Sequence, residues 1–116
     1  MAKILVVDDK TPHRRLIMDI LEMEKFKVIG AENGREALEI MRKQKIDLVT
    51  LDQQMPGMNG LQCYQQMDKK IPAIFITVFG NESEFEEIKR LGIPVITKPL
   101  IPDDIINTVK KLLNSL

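Results

Sequence analysis

The chain has 116 residues, with 17 Lys plus Arg and 17 Asp plus Glu, so its formal net charge is zero. This length predicts one domain over residues 1–116 with an ordinary hydrophobic core. Charged residues at 29% and hydrophobic residues at 44% are usual for a globular protein and argue against disorder. The balanced charge and the lack of a basic run argue against a nucleic-acid or anionic-membrane partner.

The amino-terminal sequence and the cysteine content indicate the cellular compartment in which the protein is expected. Asp8 and Asp9 come too early for a secretion signal, and no apolar run approaches the roughly 20 residues that cross a bilayer. The single cysteine, Cys63, cannot form an intramolecular disulfide, which favours a reducing environment. We therefore expect a cytoplasmic protein with no membrane partner.

The first part of the chain alternates strand and helix patterns. The apolar, β-branched run Ile4–Val7 is typical of a strand buried on both faces. Thr11 as an N-cap, with Pro12 at the first helical position, predicts the start of a helix. The weaker run Lys27–Gly30 predicts an edge strand.

The same alternation continues through the middle of the chain. Asn33 and Glu36 have the spacing of a capping box at the start of a second helix. Leu48–Leu51 predicts a third strand, which ends at Asp52. Turn residues at positions 56–60 then lead into a short third helix.

The last part of the chain adds two strands and two helices. Ala73–Thr77 predicts a fourth strand, and Asn81 with Glu84 repeats the capping-box spacing before a helix that stops near Gly92. Val95–Ile96 predicts a fifth, edge strand. A final amphipathic helix is indicated by apolar residues at helical spacing: Ile105, Ile106, Val109, Leu112, Leu113 and Leu116.

Strands that alternate with helices predict an α/β fold: a doubly wound, five-stranded parallel sheet in a flavodoxin-like three-layer sandwich. The weak strands belong at the edges, which gives the strand order 2-1-3-4-5. In such a sheet ligands bind beyond the carboxyl ends of strands one and three, where the winding reverses. Asp8 and Asp9 end strand one and Asp52 ends strand three. The fold and the acids therefore point to one site.

The residue types at this site indicate phosphoryl chemistry. Three converging carboxylates would repel one another without a cation, and acidic oxygen ligands suit Mg²⁺. Thr77 ends strand four and Lys98 follows strand five, so both should overhang the same crevice. A hydroxyl, an ammonium and a metal ion beside a carboxylate could hold a phosphoryl group. The carboxylate could itself be the acceptor and form an acyl phosphate.

These residues resemble a known family, the receiver domain of two-component response regulators. The resemblance covers essentially the whole chain and rests on Asp8-Asp9, on Asp52 with the segment 55–60 behind it, on Thr77 and on Lys98-Pro99. Each motif is weak alone, but all four in this order at these strand ends are specific.

The resemblance implies that Asp52 accepts a phosphoryl group from a histidine kinase or a histidine phosphotransfer protein. It implies that Asp9 and Asp52 bind Mg²⁺ (or Mn²⁺) together with the backbone carbonyl of Gln54, while Asp8 acts largely through bound water. Thr77 and Lys98 would contact phosphoryl oxygens. The Lys98–Pro99 peptide bond would be cis.

The resemblance also implies a switch rather than an enzyme. The domain would help to catalyse its own phosphorylation and dephosphorylation, without turning over a separate metabolite. All 116 residues are used by the receiver fold, so we expect the output to be a separate effector protein. We expect a monomer or a weak dimer.

Four positions near the site stand out. Val95 occupies the position three residues before the lysine where family members usually carry an aromatic switch residue. Val78 replaces a usually small residue after the threonine, and we expect it to narrow access to Asp52. Gln54 and Phe79 are expected to flank the same mouth.

Three alternative functions make different demands on the sequence. An aspartate-nucleophile phosphohydrolase would carry an Asp-x-Asp pattern after strand one and usually a cap domain, for which this chain has neither spacing nor room. A flavin-binding carrier would need a phosphate loop rich in hydroxyls and glycine where Asp8 and Asp9 lie. A degenerate receiver that serves only as an interaction module is favoured by Val78 and Val95 alone.

The single histidine and the single cysteine are interpreted as structural. We expect His13 to be a surface or capping residue and Cys63 to be a packed thiol.

Overall fold

The computed structural model describes residues 2–78 and 82–114, so the predictions for Phe79, Asn81 and Leu116 lie outside the described residues. Strands and helices alternate along it. In chain order they are β1 (Lys3–Val7), α1 (Thr11–Met23), β2 (Lys27–Ala31), α2 (Gly34–Lys43), β3 (Leu48–Leu51), α3 (Gly60–Gln65), β4 (Ala73–Thr77), α4 (Glu82–Arg90), β5 (Val95–Thr97) and α5 (Pro102–Asn114).

The strands form one parallel sheet in the order β2-β1-β3-β4-β5, which confirms the predicted fold and strand order. Val7 at the end of β1 lies opposite Leu51 at the end of β3. Thr77 at the end of β4 lies opposite Thr97 at the end of β5. The residues that follow these strands therefore emerge along one edge of the sheet.

Two hydrophobic cores cover the two faces of the sheet, because successive residues of a strand point to opposite sides. Leu5 and Val7 pack in the core that holds the buried residues of α2, α3 and α4. Ile4 and Val6 pack in the other core, with the buried residues of α1 and α5. This burial on both faces explains why the central strands are continuous apolar runs.

Helix α1 begins one residue earlier than the sequence suggested. Lys10 is its N-cap, without a side-chain capping bond, and Thr11 is the first helical residue. The Lys10 carbonyl already accepts the helical hydrogen bond from the Arg14 N–H at 3.0 Å. The prediction of Thr11 as N-cap was therefore wrong, because this earlier bond closes the first turn.

The capping patterns of the next two helices also differ in detail from the prediction. Asn33 accepts from the Glu36 N–H at 2.8 Å, as expected, but the Glu36 carboxylate accepts from the Glu32 N–H instead of returning to Asn33. A complete capping box occurs instead at α3, between Asn59 and Gln62. The sequence did not indicate it, because Asn59 lies within the run of turn residues at positions 56–60.

None of the described helices combines the length and the apolar composition that a membrane span requires.

Gly92 has a positive φ of 76°, in agreement with its predicted place after the end of α4.

Candidate functional site

The predicted acids meet at the carboxyl edge of the sheet. Asp8 follows β1 and Asp52 follows β3, and both side chains are almost completely buried. Asp9 is partly exposed. One carboxylate oxygen from each of the three lies within 4.8 Å of the other two, in a group that could hold a metal ion. This is the arrangement that the sequence predicts for these residues.

Backbone hydrogen bonds fix the positions of two of these acids. The Asp8 N–H donates to the Ala31 carbonyl at 3.1 Å, and the Asp52 N–H donates to the Val7 carbonyl at 3.0 Å. Each bond extends a parallel ladder by one residue, so both carboxylates leave the sheet at a defined point. Rigid placement of this kind is what a binding site built on strand ends requires.

The loops after the strands then orient the carboxylate oxygens. Oδ1 of Asp8 accepts from the Lys10 N–H at 2.9 Å. Oδ1 of Asp52 accepts from the Gln54 N–H at 3.2 Å. In each case the second oxygen, Oδ2, is turned toward Lys98.

Lys98 is the buried cation of the site. It follows β5, its peptide bond to Pro99 is cis as predicted, and its side chain is only 8% exposed. Nζ lies 3.2 Å from Oδ2 of Asp8 and 3.3 Å from Oδ2 of Asp52. The buried ammonium of Lys98 and the exposed ammonium of Lys10, 3.8 Å from Oδ1 of Asp9, face three carboxylates. The acids outnumber the cations, which is the condition under which a divalent cation would bind there.

Thr77 supplies a buried hydroxyl at the same edge. It is 4% exposed, and its carbonyl accepts from the Lys98 N–H at 2.8 Å. Within the described part of the chain, Oγ1 of Thr77 has no hydrogen-bond partner. A buried hydroxyl without a hydrogen-bond partner raises the free energy of the protein. A ligand oxygen that accepted a hydrogen bond from Thr77 would therefore be bound more favourably. Oδ1 of Asp9 also has no hydrogen-bond partner among the described residues, although the exposed Lys10 ammonium lies 3.8 Å from it.

The residues expected at the mouth of the site are partly visible. Gln54 is exposed, and its side-chain amide donates to Oε2 of Glu84 at 3.5 Å. Val78 is 48% exposed and lines a small cavity together with Gln54 and Thr77. Val95 is partly buried and packs against the core that holds α4. Narrowed access at Val78 stays a prediction.

His13 is the residue that the sequence reading assigned incorrectly. It is half-buried in the first turn of α1, and its Nδ1 lies 3.0 Å from Nζ of Lys98. The prediction of a surface or capping role was wrong, because the ring turns toward the site. The sequence does place His13 in the first helical turn after Asp8 and Asp9. It does not indicate the contact, because Lys98 lies 85 residues away along the chain.

Cys63 is a packed thiol, as predicted. It is fully buried on α3, with Sγ 3.8 Å from the carbonyl of Gly34. Burial raises the pKa of the Cys63 thiol to about 11, so it stays protonated at neutral pH and is a poor nucleophile.

Comparisons with known proteins agree with this geometry. The family model of the response regulator receiver domain matches residues 4–110. Sporulation initiation phosphotransferase F of Bacillus subtilis is 37% identical over 115 residues, which cover 96% of this chain and 93% of that protein. Protein PilH of Pseudomonas aeruginosa is 34% identical over 97% of this chain and 98% of its own length.

A solved structure gives the same result at the level of the fold. Response regulator protein TrrA of Thermotoga maritima, solved in complex with Mg(2+)-BeF, superposes with a TM-score of 0.86 at 32% identity. The match covers 97% of this chain and 99% of that one. With the sheet order, the acidic cluster and the matched family model in agreement, the chain belongs to the response regulator receiver domain family.

Proposed function

We propose that this chain is the phosphoacceptor of a two-component phosphorelay, with Asp52 as the residue that is phosphorylated. The observation that carries the proposal is the buried Asp52 carboxylate, 3.3 Å from the Lys98 ammonium and grouped with Asp8 and Asp9. A carboxylate so placed has a cation beside it to offset the charge of an incoming phosphoryl group.

The proposed step is a transfer between two nucleophiles. A carboxylate oxygen of Asp52 forms a bond to phosphorus while the phosphorus–nitrogen bond of a phosphohistidine breaks. The electron pair of the broken bond stays with the donor imidazole, which takes a proton from water. Lys98 pairs with one phosphoryl oxygen, and the unpaired hydroxyl of Thr77 donates to another.

Asp8, Asp9 and Asp52 would hold Mg²⁺ (or Mn²⁺), with the backbone carbonyl of Gln54 as a further ligand. The fit rests on the three converging carboxylate oxygens and on Oδ1 of Asp9, which accepts no hydrogen bond from the described residues and has only the exposed Lys10 ammonium 3.8 Å away. When bound, the ion would neutralise charge on the phosphoryl oxygens.

The relatives support the choice of partners. One is named a sporulation initiation phosphotransferase, and one solved structure contains Mg(2+)-BeF. We infer that the donor is a histidine kinase or a histidine phosphotransfer protein and that a separate effector protein reads the phosphorylated surface. On this proposal the chain promotes its own phosphorylation and dephosphorylation but turns over no separate metabolite.

The test is a mass measurement after incubation with Mg²⁺ and acetyl phosphate. We expect the mass to increase by one phosphoryl group in the wild-type chain and to stay unchanged in Asp52→Ala. Asp47→Asn is the matched control, since Asp47 precedes β3 at the opposite end of the strand from Asp52. This variant should be phosphorylated like the wild type.

Three results would contradict the proposal. No mass increase in the wild-type chain with Mg²⁺ would favour a domain that only binds partners. A label that survives in Asp52→Ala would place the acceptor elsewhere. Sustained hydrolysis of a free phosphate ester would instead favour the phosphohydrolase alternative.

A further inference from the structure

His13 has a neighbour that a surface residue would not have. Its ring nitrogen Nδ1 lies 3.0 Å from Nζ of Lys98, within hydrogen-bond distance. The neighbouring Arg14 holds this turn of α1 against the end of β1, because its Nη1 donates to the Asp8 carbonyl at 2.8 Å. The His13 ring is therefore attached to an anchored segment.

The hydrogen-bond capacity of Lys98 explains what His13 contributes. A lysine ammonium carries three N–H donors and no acceptor. Oδ2 of Asp8 and Oδ2 of Asp52 take two of them, at 3.2 and 3.3 Å. Nδ1 of His13 is placed to take the third. Because the lysine side chain is only 8% exposed, little water is within reach to replace this partner.

This contact selects one tautomer of the imidazole. Nδ1 accepts from the ammonium in the tautomer that carries the ring proton on Nε2. A neutral acceptor directs the ammonium without cancelling its charge, whereas a third carboxylate would cancel more of it. The full positive charge of Lys98 stays available to the anionic groups that it faces.

We propose that His13 is a positioning residue for Lys98, which it holds toward Asp52 for phosphoryl transfer. This inference rests on the proposed function, since it assigns His13 a part in the phosphorylation of Asp52. His13 acts through Lys98 and does not touch the phosphoryl group.

The experiment compares initial rates of Asp52 phosphorylation by acetyl phosphate with saturating Mg²⁺. His13→Phe keeps a flat ring but removes the acceptor, and we expect a rate about tenfold lower, which corresponds to one hydrogen bond to a charged group. His13→Asn places an amide oxygen near the position of Nδ1 and should restore the rate to within about threefold of the wild type. Circular dichroism of each variant reports whether it is folded.

A Lys98→Ala background separates positioning from other roles. There, His13→Phe should change the rate no further, since the group that it positions is gone. An equal loss in both backgrounds, or His13→Asn as slow as His13→Phe, would overturn the proposal. So would a loss seen only with a protein phosphodonor, which would identify His13 as a docking residue.

A second measurement does not depend on phosphorylation. His13 is the only histidine of the chain, so its ring gives one set of ¹⁵N NMR signals. At about pH 8 we expect the neutral Nε2–H tautomer, and a change of the Nδ1 signal in Lys98→Ala. A proton on Nδ1 would overturn the inference even if Asp52 is phosphorylated. If Asp52 is never phosphorylated, the proposed function fails, whereas a change of the Nδ1 signal in Lys98→Ala would still show that the His13–Lys98 contact stands.

Discussion

Gly60 shows how closely the site loop and the sheet are packed. A Cβ atom at this position would lie 2.6 Å from the backbone oxygen of Asp52 and 2.9 Å from the ring of Phe75. Both neighbours are constrained, one as backbone and one as a fully buried aromatic ring. The absence of a side chain at Gly60 therefore lets α3 begin directly against the backbone of Asp52.

We expect Gly60→Ala to lower the free energy of unfolding by about 1–3 kcal/mol, the usual cost of extra volume in a filled core. It should also slow phosphorylation of Asp52, because the backbone of that residue must move. Gly57→Ala is the control for backbone strain without a clash: its φ of 79° should cost stability as well, but nothing lies within 4 Å of the added atom, so its phosphorylation rate should match the wild type. Urea unfolding measures the stability, and the acetyl phosphate assay measures the rate. A Gly60→Ala variant with wild-type stability and rate would show that the neighbouring atoms move to accommodate the added Cβ.

At the scale of the elements, strands were easier to predict than helix starts. A strand buried on both faces is a continuous apolar run, so β3 and β4 were predicted with their observed bounds. A helix start depends on which of several neighbouring groups accepts the first hydrogen bonds. At α1 the Lys10 carbonyl takes this part instead of the Thr11 side chain, and no propensity argument distinguishes the two.

Helix α2 offers a direct test of capping. We expect Asn33→Ala to destabilise the domain by about 1 kcal/mol, since the Glu36 N–H would lose its side-chain acceptor. Asn33→Asp keeps an acceptor oxygen and should stay close to the wild type. Urea denaturation of the three proteins measures the difference. Equal losses in both variants would mean that the cap bond itself contributes little.

At the scale of the whole molecule, a net charge of zero conceals an uneven distribution. Three acids are gathered at one edge of the sheet around one buried ammonium. The folded state holds these carboxylates together, whereas the unfolded chain lets them separate. A cation that binds the cluster should therefore stabilise the fold.

We expect Mg²⁺ to raise the free energy of unfolding, by about 2.7 kcal/mol when its concentration is about 100 times its Kd. Asp9→Asn should remove most of this gain. Without Mg²⁺ the same variant should be at least as stable as the wild type, because one repulsive charge is gone. Urea denaturation with MgCl₂ is compared with NaCl at equal ionic strength, and equal effects of the two salts would argue against a specific site.

Chain topology also determined which residues of the site could be predicted from the sequence. Asp8, Asp52 and Lys98 were predicted together because each follows a strand of one parallel sheet, where position along the chain gives position in space. The contact of His13 with Lys98 follows no such rule. It depends on how α1 is rotated and on the side-chain torsions of both residues, which only the packed structure defines.

The burial of Cys63 makes the domain convenient for site-specific labelling. It is the one sulfhydryl of the sequence, and it is enclosed in the core and protonated at neutral pH. A cysteine introduced at an exposed position such as Ile101, which is 54% exposed just before α5, would be the one thiol within reach of a maleimide dye. A fluorophore could thus follow surface changes after modification of Asp52 without prior removal of a native residue.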